Sequence, residues 1–241
     1  MPGPYAGVDR DGNGLRELCG RPALRQPRLS GKHIEAPNAQ HCAQVGELLA
    51  HSHLATRERI IERRTDRGRD WMQAAGAELL PRLTAEQAAL LRPELAEMAL
   101  HKAQILALPR ANLHADLFRD NVMFEGTHLT GVIDFYNACS GPMLYDLAIT
   151  VNDWCLNEQG GVDAPRAQAL LAAYAALRPL TAAEGGLWPE MRGVGGGRCW
   201  LSRLSAAESF AGMDVMIHDP REFEVRLAQR QQVSLHLPFA L

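Results

Sequence analysis

Lysine is nearly absent from this chain. Only Lys32 and Lys102 occur among 25 lysine and arginine residues, and 28 aspartate and glutamate residues bring the formal net charge to -3. The sequence therefore has no surplus of positive charge, which is the electrostatic signature of a protein that binds nucleic acid. We expect no nucleic-acid partner, and a role that requires lysine must fall to one of these two residues.

Paired cysteines are missing as well. The five cysteines are scattered without any C-x-x-C pair, so the sequence favours neither a zinc knuckle nor a disulfide framework. His41, His51 and His53 lie near one another, but no carboxylate or cysteine completes a set of metal ligands at the required spacing. We interpret the thiols as free and these histidines as surface or partly buried residues.

The chain has no long apolar run. No stretch approaches the length of a membrane span, and the N-terminal "MPGPYAGVDRDGNG" lacks a basic segment followed by an apolar one. We therefore expect a cytoplasmic protein. With 241 residues, of which 46% are hydrophobic, the chain is long enough for one large domain, or for one domain with a smaller appendage.

The local patterns change from strand to helix along the chain. Residues 5–29 contain Asp-Gly and Asn-Gly turn signals and predict a hairpin. From about residue 38 the apolar residues follow helical spacing, with Asn38 as the N-cap. Residues 112–136 form the one clear β interruption in the helical part of the sequence. Four further helices are predicted after it, at residues 144–156, 164–177, 200–217 and 220–232.

Two other helix starts carry a capping-box signature, in which a threonine precedes a glutamine or glutamate by three residues. The first is Thr84 with Gln87, and the second is Thr181 with Glu184. Pro93 follows the first cap by nine residues, and proline in a helix interior removes a hydrogen bond. We expect Pro93 to divide or kink that helix.

Two glycine-containing segments look like ligand-binding motifs but fit poorly. "DRDGNG" opens like a calcium loop at Asp9, yet Gly20 stands where such a loop needs a bidentate glutamate, so an ordinary hairpin turn is favoured. "RGVGGGR", residues 192–198, lacks the preceding strand and the spacing of a phosphate-binding loop. Three successive glycines cost about 1 kcal/mol each in a helix. We therefore predict a helix break there.

The segment 112–136 concentrates side chains that bear oxygen. If residues 121–125 and 129–133 pair through the turn "EGTH", Asn121 lies opposite Asp134, and Asp116 in the preceding loop lies close to both. An amide and two carboxylates suit Mg²⁺ beside substrate phosphates, and a carboxylate left free accepts a proton from an attacking hydroxyl. The alternative is that Asp116 and Asp120 are loop residues and that Asp134 caps the next turn.

"HADLFRDN" followed by "VIDFY" resembles the catalytic loop and metal loop of the protein-kinase-like phosphotransferases. Within that superfamily the chain is similar to the branch of aminoglycoside phosphotransferases and choline kinases. "DFYNACSGPMLYDLAITVNDWC", "LSRLSAAESFAGMDVMIHDPREFEVRLAQR" and the terminal "LPFAL" resemble the bacterial homoserine kinases of that branch. The resemblance implies an α+β kinase-like fold and transfer of the ATP γ-phosphate to the hydroxyl of L-homoserine, a step of threonine biosynthesis.

The resemblance also implies roles for individual residues. Asp116 would be the catalytic base, while Asn121 and Asp134 would hold Mg²⁺ against the ATP phosphates. Further residues would support the site: His114 and Asp146 would brace the catalytic loop, and Asp153 would contact the substrate amino group.

The chain departs from the kinase pattern at its N-terminal side. Such an enzyme needs a nucleotide-covering loop and a strand lysine paired with a helix glutamate, but neither Lys32 nor Lys102 has the strand context. We assign residues 1–31 to a remnant of the N-terminal lobe strands and hinge, and residues 32–241 to the helical C-terminal lobe. We expect a fragment, a misassigned start or a shortened protein, with weak or no activity. Another small-molecule kinase of the same branch and a non-catalytic kinase-like remnant remain alternatives, and the oligomeric state is open.

Overall fold

The structure is a computed structural model that describes residues 5–209, 219–232 and 235–238 of the chain. Nine α-helices and six short β-strands lie within these residues. The helices are α1 (Ala39–Thr56), α2 (Arg69–Leu79), α3 (Ala85–Leu100), α4 (Lys102–Leu106), α5 (Met143–Trp154), α6 (Ala164–Leu177), α7 (Ala182–Gly186), α8 (Trp188–Ser209) and α9 (Arg221–Gln232). The strands are β1 (Leu15–Leu18), β2 (Arg21–Leu24), β3 (Arg110–Leu113), β4 (Val122–Glu125), β5 (His128–Val132) and β6 (Cys139–Pro142).

The first two strands form the predicted N-terminal hairpin. They pair antiparallel through Cys19 and Gly20, which both adopt left-handed backbone conformations. In "DRDGNG" the Asp9 carboxylate accepts hydrogen bonds from the Asp11 and Asn13 amides, at 2.9 and 2.8 Å. This segment is an ordinary turn, but it precedes the hairpin rather than joining its strands.

Local capping signals are confirmed throughout the helical part. Asn38 caps α1 through the His41 amide, Thr84 and Gln87 form a capping box on α3, and Thr181 and Glu184 form one on α7. All three are decided by residues within four positions of one another, which is why the sequence reveals them. The four helices predicted after the β segment also form, although residues 210–217 of the third lie outside the described residues.

The predicted helix break at residues 192–198 is wrong, because α8 continues through these glycines. Helix α3 continues through Pro93 without dividing, and the alternative expectation of a kink there stays a prediction. A Cβ atom at Gly195 would lie 2.7 Å from Asn152 Nδ2, and one at Gly196 would lie 2.5 Å from an Arg230 guanidinium nitrogen. Glycine lets α8 pack this closely against α5 and α9, and the packing outweighs the poor helix propensity.

The core is built around the pairs α1 with α6 and α5 with α8. Helix α5 is buried along its whole length, and its apolar side chains join those of α1, α6 and α8 in one cluster with the inner side of β4 and β5. No helix among the described residues combines the length and the apolar character that a membrane crossing needs.

The hairpin of β4 and β5 differs in register from the prediction. Val122 pairs with Val132, and the Ile133 amide donates to the Asn121 carbonyl across 2.9 Å, so residue 121 lies opposite residue 133 and not opposite Asp134. The turn has two residues rather than four, and a bulge between Met123 and Phe124 shifts the register by one. A bulge of this kind has no clear sequence signal.

The segment 30–32 is attached to the same hairpin. Lys32 and Phe124 exchange two backbone hydrogen bonds of 3.0 and 2.9 Å, and the Thr130 hydroxyl donates to the Ser30 carbonyl across 2.6 Å. Gly31 has φ +89°, and a Cβ there would lie 2.5 Å from the Phe124 carbonyl oxygen. Residues 30–32, which follow the N-terminal strands, are therefore held against the hairpin of β4 and β5.

Candidate active site

A buried carboxylate on α5 holds the loop that follows β3. Asp146 on α5 accepts hydrogen bonds from the His114 and Ala115 amides, at 2.8 and 2.9 Å. Ala115 adopts a left-handed conformation with φ +61°, which costs an alanine roughly 1–2 kcal/mol. The two hydrogen bonds to a charged acceptor offset this strain, so Asp146 sets the course of the chain just before Asp116.

A buried histidine completes the support of Asp146. His53 Nε2 lies 3.2 Å from the Asp146 carboxylate, and His53 Nδ1 lies 2.8 Å from the Tyr174 hydroxyl. Burial raises the pKa of Asp146, but the hydrogen bonds and charges of His53 and His114 outweigh it and hold that pKa below its ordinary value. His53 is fully buried, so its expected surface or partly buried position is wrong. Its spacing on the apolar face of α1 was the signal for burial.

His114 connects the catalytic loop to the end of β5. Its Nε2 lies 3.0 Å from the Ile133 carbonyl oxygen, and its ring lies 4.8 Å from the Phe135 ring, centroid to centroid. Among the described residues its buried Nδ1 has no hydrogen-bond partner. The side chain therefore spans from the segment that carries Asp116 to the segment that carries Asp134.

Asp116 is held at both carboxylate oxygens. Oδ1 accepts from Arg198 across 3.1 Å, and Oδ2 accepts from the Asn137 side chain across 3.2 Å. The Arg198 side chain is almost fully buried, whereas about a fifth of the Asp116 side chain is exposed, at 18%. Sequence reasoning missed Arg198, because the glycines before it predicted a break where the helix in fact continues. Asp116 thus has a fixed orientation and one face open to a ligand.

Asn121 and Asp134 approach the same region from the two ends of the hairpin. The Asn121 side-chain nitrogen donates to the Asp116 carbonyl across 2.8 Å, which leaves the amide oxygen available. Asp134 adopts a left-handed conformation with φ +67°, and its Oδ1 is buried with no hydrogen-bond partner among the described residues. Burial and the charge of Asp116 raise the pKa of Asp134, with His114 opposing them.

This donor set fits a hard divalent cation. A buried carboxylate oxygen without a partner costs free energy unless a positive charge compensates it. An amide oxygen and a carboxylate are ligands that Mg²⁺ accepts together with water and phosphate oxygens. The residues therefore fit Mg²⁺ at this position: Asn121 and Asp134 could hold it, and Asp116 could act on a hydroxyl.

Asp153 lies on α5 beside a cavity of about 390 Å³. Its carboxylate accepts from the Arg119 amide across 2.8 Å and from Arg119 Nε across 3.2 Å, and it pairs with Arg226 at 3.7 Å. The side chain is buried. Asp153 thus anchors the middle of the catalytic loop to α9.

The chain matches known proteins over most of its length. The model of the phosphotransferase enzyme family matches residues 2–180. A homoserine kinase of Pseudomonas aeruginosa is 64% identical over all 241 residues, which correspond to 76% of that protein. A homoserine kinase of Methylobacillus flagellatus is 41% identical over 238 residues, covering 97% of this chain and 74% of the relative.

Solved structures share the fold at low sequence identity. The amicoumacin kinase hAmiN superposes with a TM-score of 0.68 at 12% identity, over 100% of this chain and 75% of that one. An aminoglycoside phosphotransferase from Alicyclobacillus acidocaldarius gives a TM-score of 0.68 at 16% identity, over 96% and 75% of the two chains. The α+β kinase-like fold implied by the resemblance is confirmed. Together with the family match over residues 2–180, these findings show that the chain belongs to the phosphotransferase enzyme family.

Proposed function

We propose that this protein is a cytoplasmic kinase of amino-acid metabolism that transfers the γ-phosphate of ATP to the side-chain hydroxyl of L-homoserine. The product is O-phospho-L-homoserine, an intermediate of threonine biosynthesis. The observation that carries the proposal is the 64% identity to a homoserine kinase over the full chain. The arrangement of Asp116, Asn121 and Asp134 supports it, because it offers a base and a cation site side by side.

Asp116 acts as the base in this proposal. Arg198 and Asn137 hold its two oxygens, so the carboxylate meets the acceptor hydroxyl in one orientation. It accepts the hydroxyl proton as the oxygen attacks the γ-phosphorus and the bond to the bridging oxygen breaks, which releases ADP. Phosphoryl transfer depends mainly on positioning and on neutralisation of charge. Mg²⁺ held by Asn121 and Asp134 would supply the neutralisation at the phosphates.

His114 and Asp146 serve as positioning residues in the same proposal. Asp146 receives the two amides that precede Asp116, and His114 reaches the carbonyl that precedes Asp134. Together they fix the distance between the base and the cation site without touching the substrate. The proposed contact of Asp153 with the substrate amino group stays a prediction, and its ion pairs with Arg119 and Arg226 set the environment in which it must act.

A phosphate-transfer assay with Mg-ATP and a panel of acceptors tests the proposal. We expect L-homoserine to be preferred over choline and an aminoglycoside, and Asp116→Asn to abolish turnover while nucleotide binding persists in calorimetry. Asp11→Asn, an exposed aspartate in the N-terminal turn, is the matched control and should change neither. Preference for another acceptor would overturn the substrate assignment. Absence of nucleotide binding would instead favour the non-catalytic remnant, and the weak activity predicted for this chain is measured in the same assay.

A further inference from the structure

We propose that Arg203 and Asp120 are the pair that recognises the acceptor, with Arg203 binding the α-carboxylate and Asp120 the α-ammonium of a hydroxy-amino acid. The inference rests on the proposed function in one respect, namely that the acceptor presents its hydroxyl to Asp116. It adds the residues that distinguish an amino acid from other small alcohols.

The pocket that would hold the acceptor begins at the catalytic loop. The cavity of about 390 Å³ is lined by Phe118, Arg119 and Asp120, which lie between the proposed base Asp116 and the proposed metal ligand Asn121. The opposite walls come from Arg203 on α8 and from Phe223 and Arg226 on α9. The cavity is thus lined by the segment that joins these two residues, and in this proposal the acceptor extends from the cavity toward Asp116.

Of the three arginines around the cavity, two are already paired. Arg119 and Arg226 both lie against the Asp153 carboxylate, and Arg226 also pairs with Glu222 at 3.6 Å. Arg203 is different: among the described residues no carboxylate lies within ion-pair distance of it. Its guanidinium stacks on the Phe223 ring at 5.5 Å, and partial burial lowers the pKa of Arg203. A partly desolvated cation fixed by an aromatic ring is a ready partner for a ligand carboxylate.

The acidic residues around the cavity also differ in whether they are paired. Asp153 and Glu222 are engaged with arginines, whereas Asp120 is exposed and has no hydrogen bond or ion pair within the described part of the chain. Asp120 directly precedes the proposed metal ligand Asn121 in the chain and lines the same cavity as Arg203.

Asp153 is less suited to bind the ammonium group. An ammonium placed at its carboxylate would also lie beside Arg119 and Arg226, and the repulsion between like charges would offset the attraction. Asp120 has no such neighbours within ion-pair distance among the described residues. The expectation that Asp153 binds the amino group is thus a rival that the same experiment can decide.

The cavity favours an acceptor that carries a carboxylate, because Arg203 lines it without an ion pair among the described residues. Choline lacks a carboxylate and would leave Arg203 uncompensated, so the pocket selects against it.

The test measures kcat/KM of the full chain for three acceptors that differ by one charged group: L-homoserine, 3-amino-1-propanol without the carboxylate, and 4-hydroxybutanoate without the ammonium. For the unaltered chain we expect homoserine to be favoured over each analogue by about 10- to 100-fold, the effect of a hydrogen bond to a charged group. Arg203→Met should abolish the preference for homoserine over 3-amino-1-propanol and leave the preference over 4-hydroxybutanoate. Asp120→Asn should do the reverse. Arg203→Lys should restore part of the first preference.

Controls separate this inference from the proposed function. Arg82→Met, a change at a half-exposed arginine paired with Glu208, should leave both ratios unchanged. Binding of the three acceptors by calorimetry supplies a readout that needs no turnover: homoserine binding that depends on Arg203 without phosphate transfer would support the inference and overturn the function. If Arg203→Met and Asp120→Asn turn over homoserine with unchanged preferences over both analogues, the inference is overturned and the proposed function is not. The same holds if Asp153→Asn, and not Asp120→Asn, abolishes the preference over 4-hydroxybutanoate. Absence of both homoserine binding and turnover would overturn both.

Discussion

Arg198 donates to the carboxylate of Asp116 across 3.1 Å, although 82 residues separate the two in the chain. The guanidinium is buried at the point where α8 passes the catalytic loop, and Asn137 occupies the second oxygen of the same carboxylate. Two donors from different segments therefore determine the direction in which Asp116 faces. An ion pair of this kind orients a carboxylate more strictly than contacts within the loop alone could do.

Replacement of Arg198 tests this orientation. We expect Arg198→Met to lower kcat for homoserine by about 100-fold, since a small displacement of a reacting group has this effect, and to lower the free energy of unfolding by about 3 kcal/mol through the lost ion pair. Arg198→Lys retains the charge but replaces the planar guanidinium with a single ammonium nitrogen on a flexible stem, so it should recover stability more than kcat. Steady-state kinetics and urea unfolding measure the two effects. Unchanged kcat in Arg198→Met would contradict the orienting role.

The low pKa of Asp146 predicts how stability depends on pH. A carboxyl group whose pKa is lower in the folded protein contributes stability that is fully present above its ordinary pKa of 3.8 and is lost as the pH falls through the folded value. Asp146→Asn should therefore destabilise the protein at pH 7 by about 3 kcal/mol, and the difference from the unaltered chain should narrow below pH 3.8. Urea unfolding across this range measures it. A difference independent of pH would show that lost packing, not charge, is responsible.

Two glycines of α8 form a matched pair. A Cβ at Gly195 would lie 2.7 Å from Asn152 Nδ2, whereas the nearest contact at Gly197 is Met72 Cε at an ordinary 3.5 Å. Gly195→Ala should displace Asn152 from the Arg192 carbonyl, 2.9 Å away, and cost about 1–3 kcal/mol through an unsatisfied buried group. Gly197→Ala should be neutral or stabilise by up to about 1 kcal/mol from helix propensity. Thermal unfolding compares them, and equal effects would contradict the packing explanation.

A second pair of glycines tests the attachment of residues 30–32 to the hairpin of β4 and β5. Gly31 and Gly126 both have positive φ, but a Cβ at Gly31 would lie 2.5 Å from the Phe124 carbonyl oxygen while one at Gly126 meets nothing within 4 Å. Gly126→Ala should lose only the backbone preference, roughly 1–2 kcal/mol. Gly31→Ala should lose more, because the two Lys32–Phe124 hydrogen bonds are displaced as well. Chemical denaturation of both variants gives the difference, and a smaller loss at Gly31 would refute it.

The sequence predicts features that depend on neighbouring residues better than those that depend on distant ones. The caps at Asn38, Thr84 and Thr181 are formed by side chains and amides three positions apart, and all three were predicted. The hairpin at residues 122–132 was also predicted, but its register was wrong by one residue because the turn is shorter and the strand contains a bulge. Pairing is sensitive to such a change, whereas the existence of the strands is not.

The residues of the site that were not predicted from the sequence contact partners far away in the chain. Arg198 contacts Asp116 over 82 positions, and His53 contacts Asp146 over 93. Neither contact has a local signal, and the glycines before Arg198 indicate the wrong structure when their packing partners are unknown. The roles predicted for Asp116, Asn121 and Asp134 remain predictions until they are measured, although the hairpin does bring the three segments together.

The glycines in the middle of α8 limit the mutations that the gene can tolerate. Any missense change in the codon of Gly195 or Gly196 adds at least one carbon atom within 2.7 Å of a side chain of α5 or α9, so that side chain must move. Positions that take no part in the chemistry thus restrict which changes the gene tolerates. We expect a saturation library of this chain to show depletion at both positions, alongside the loop of Asp116.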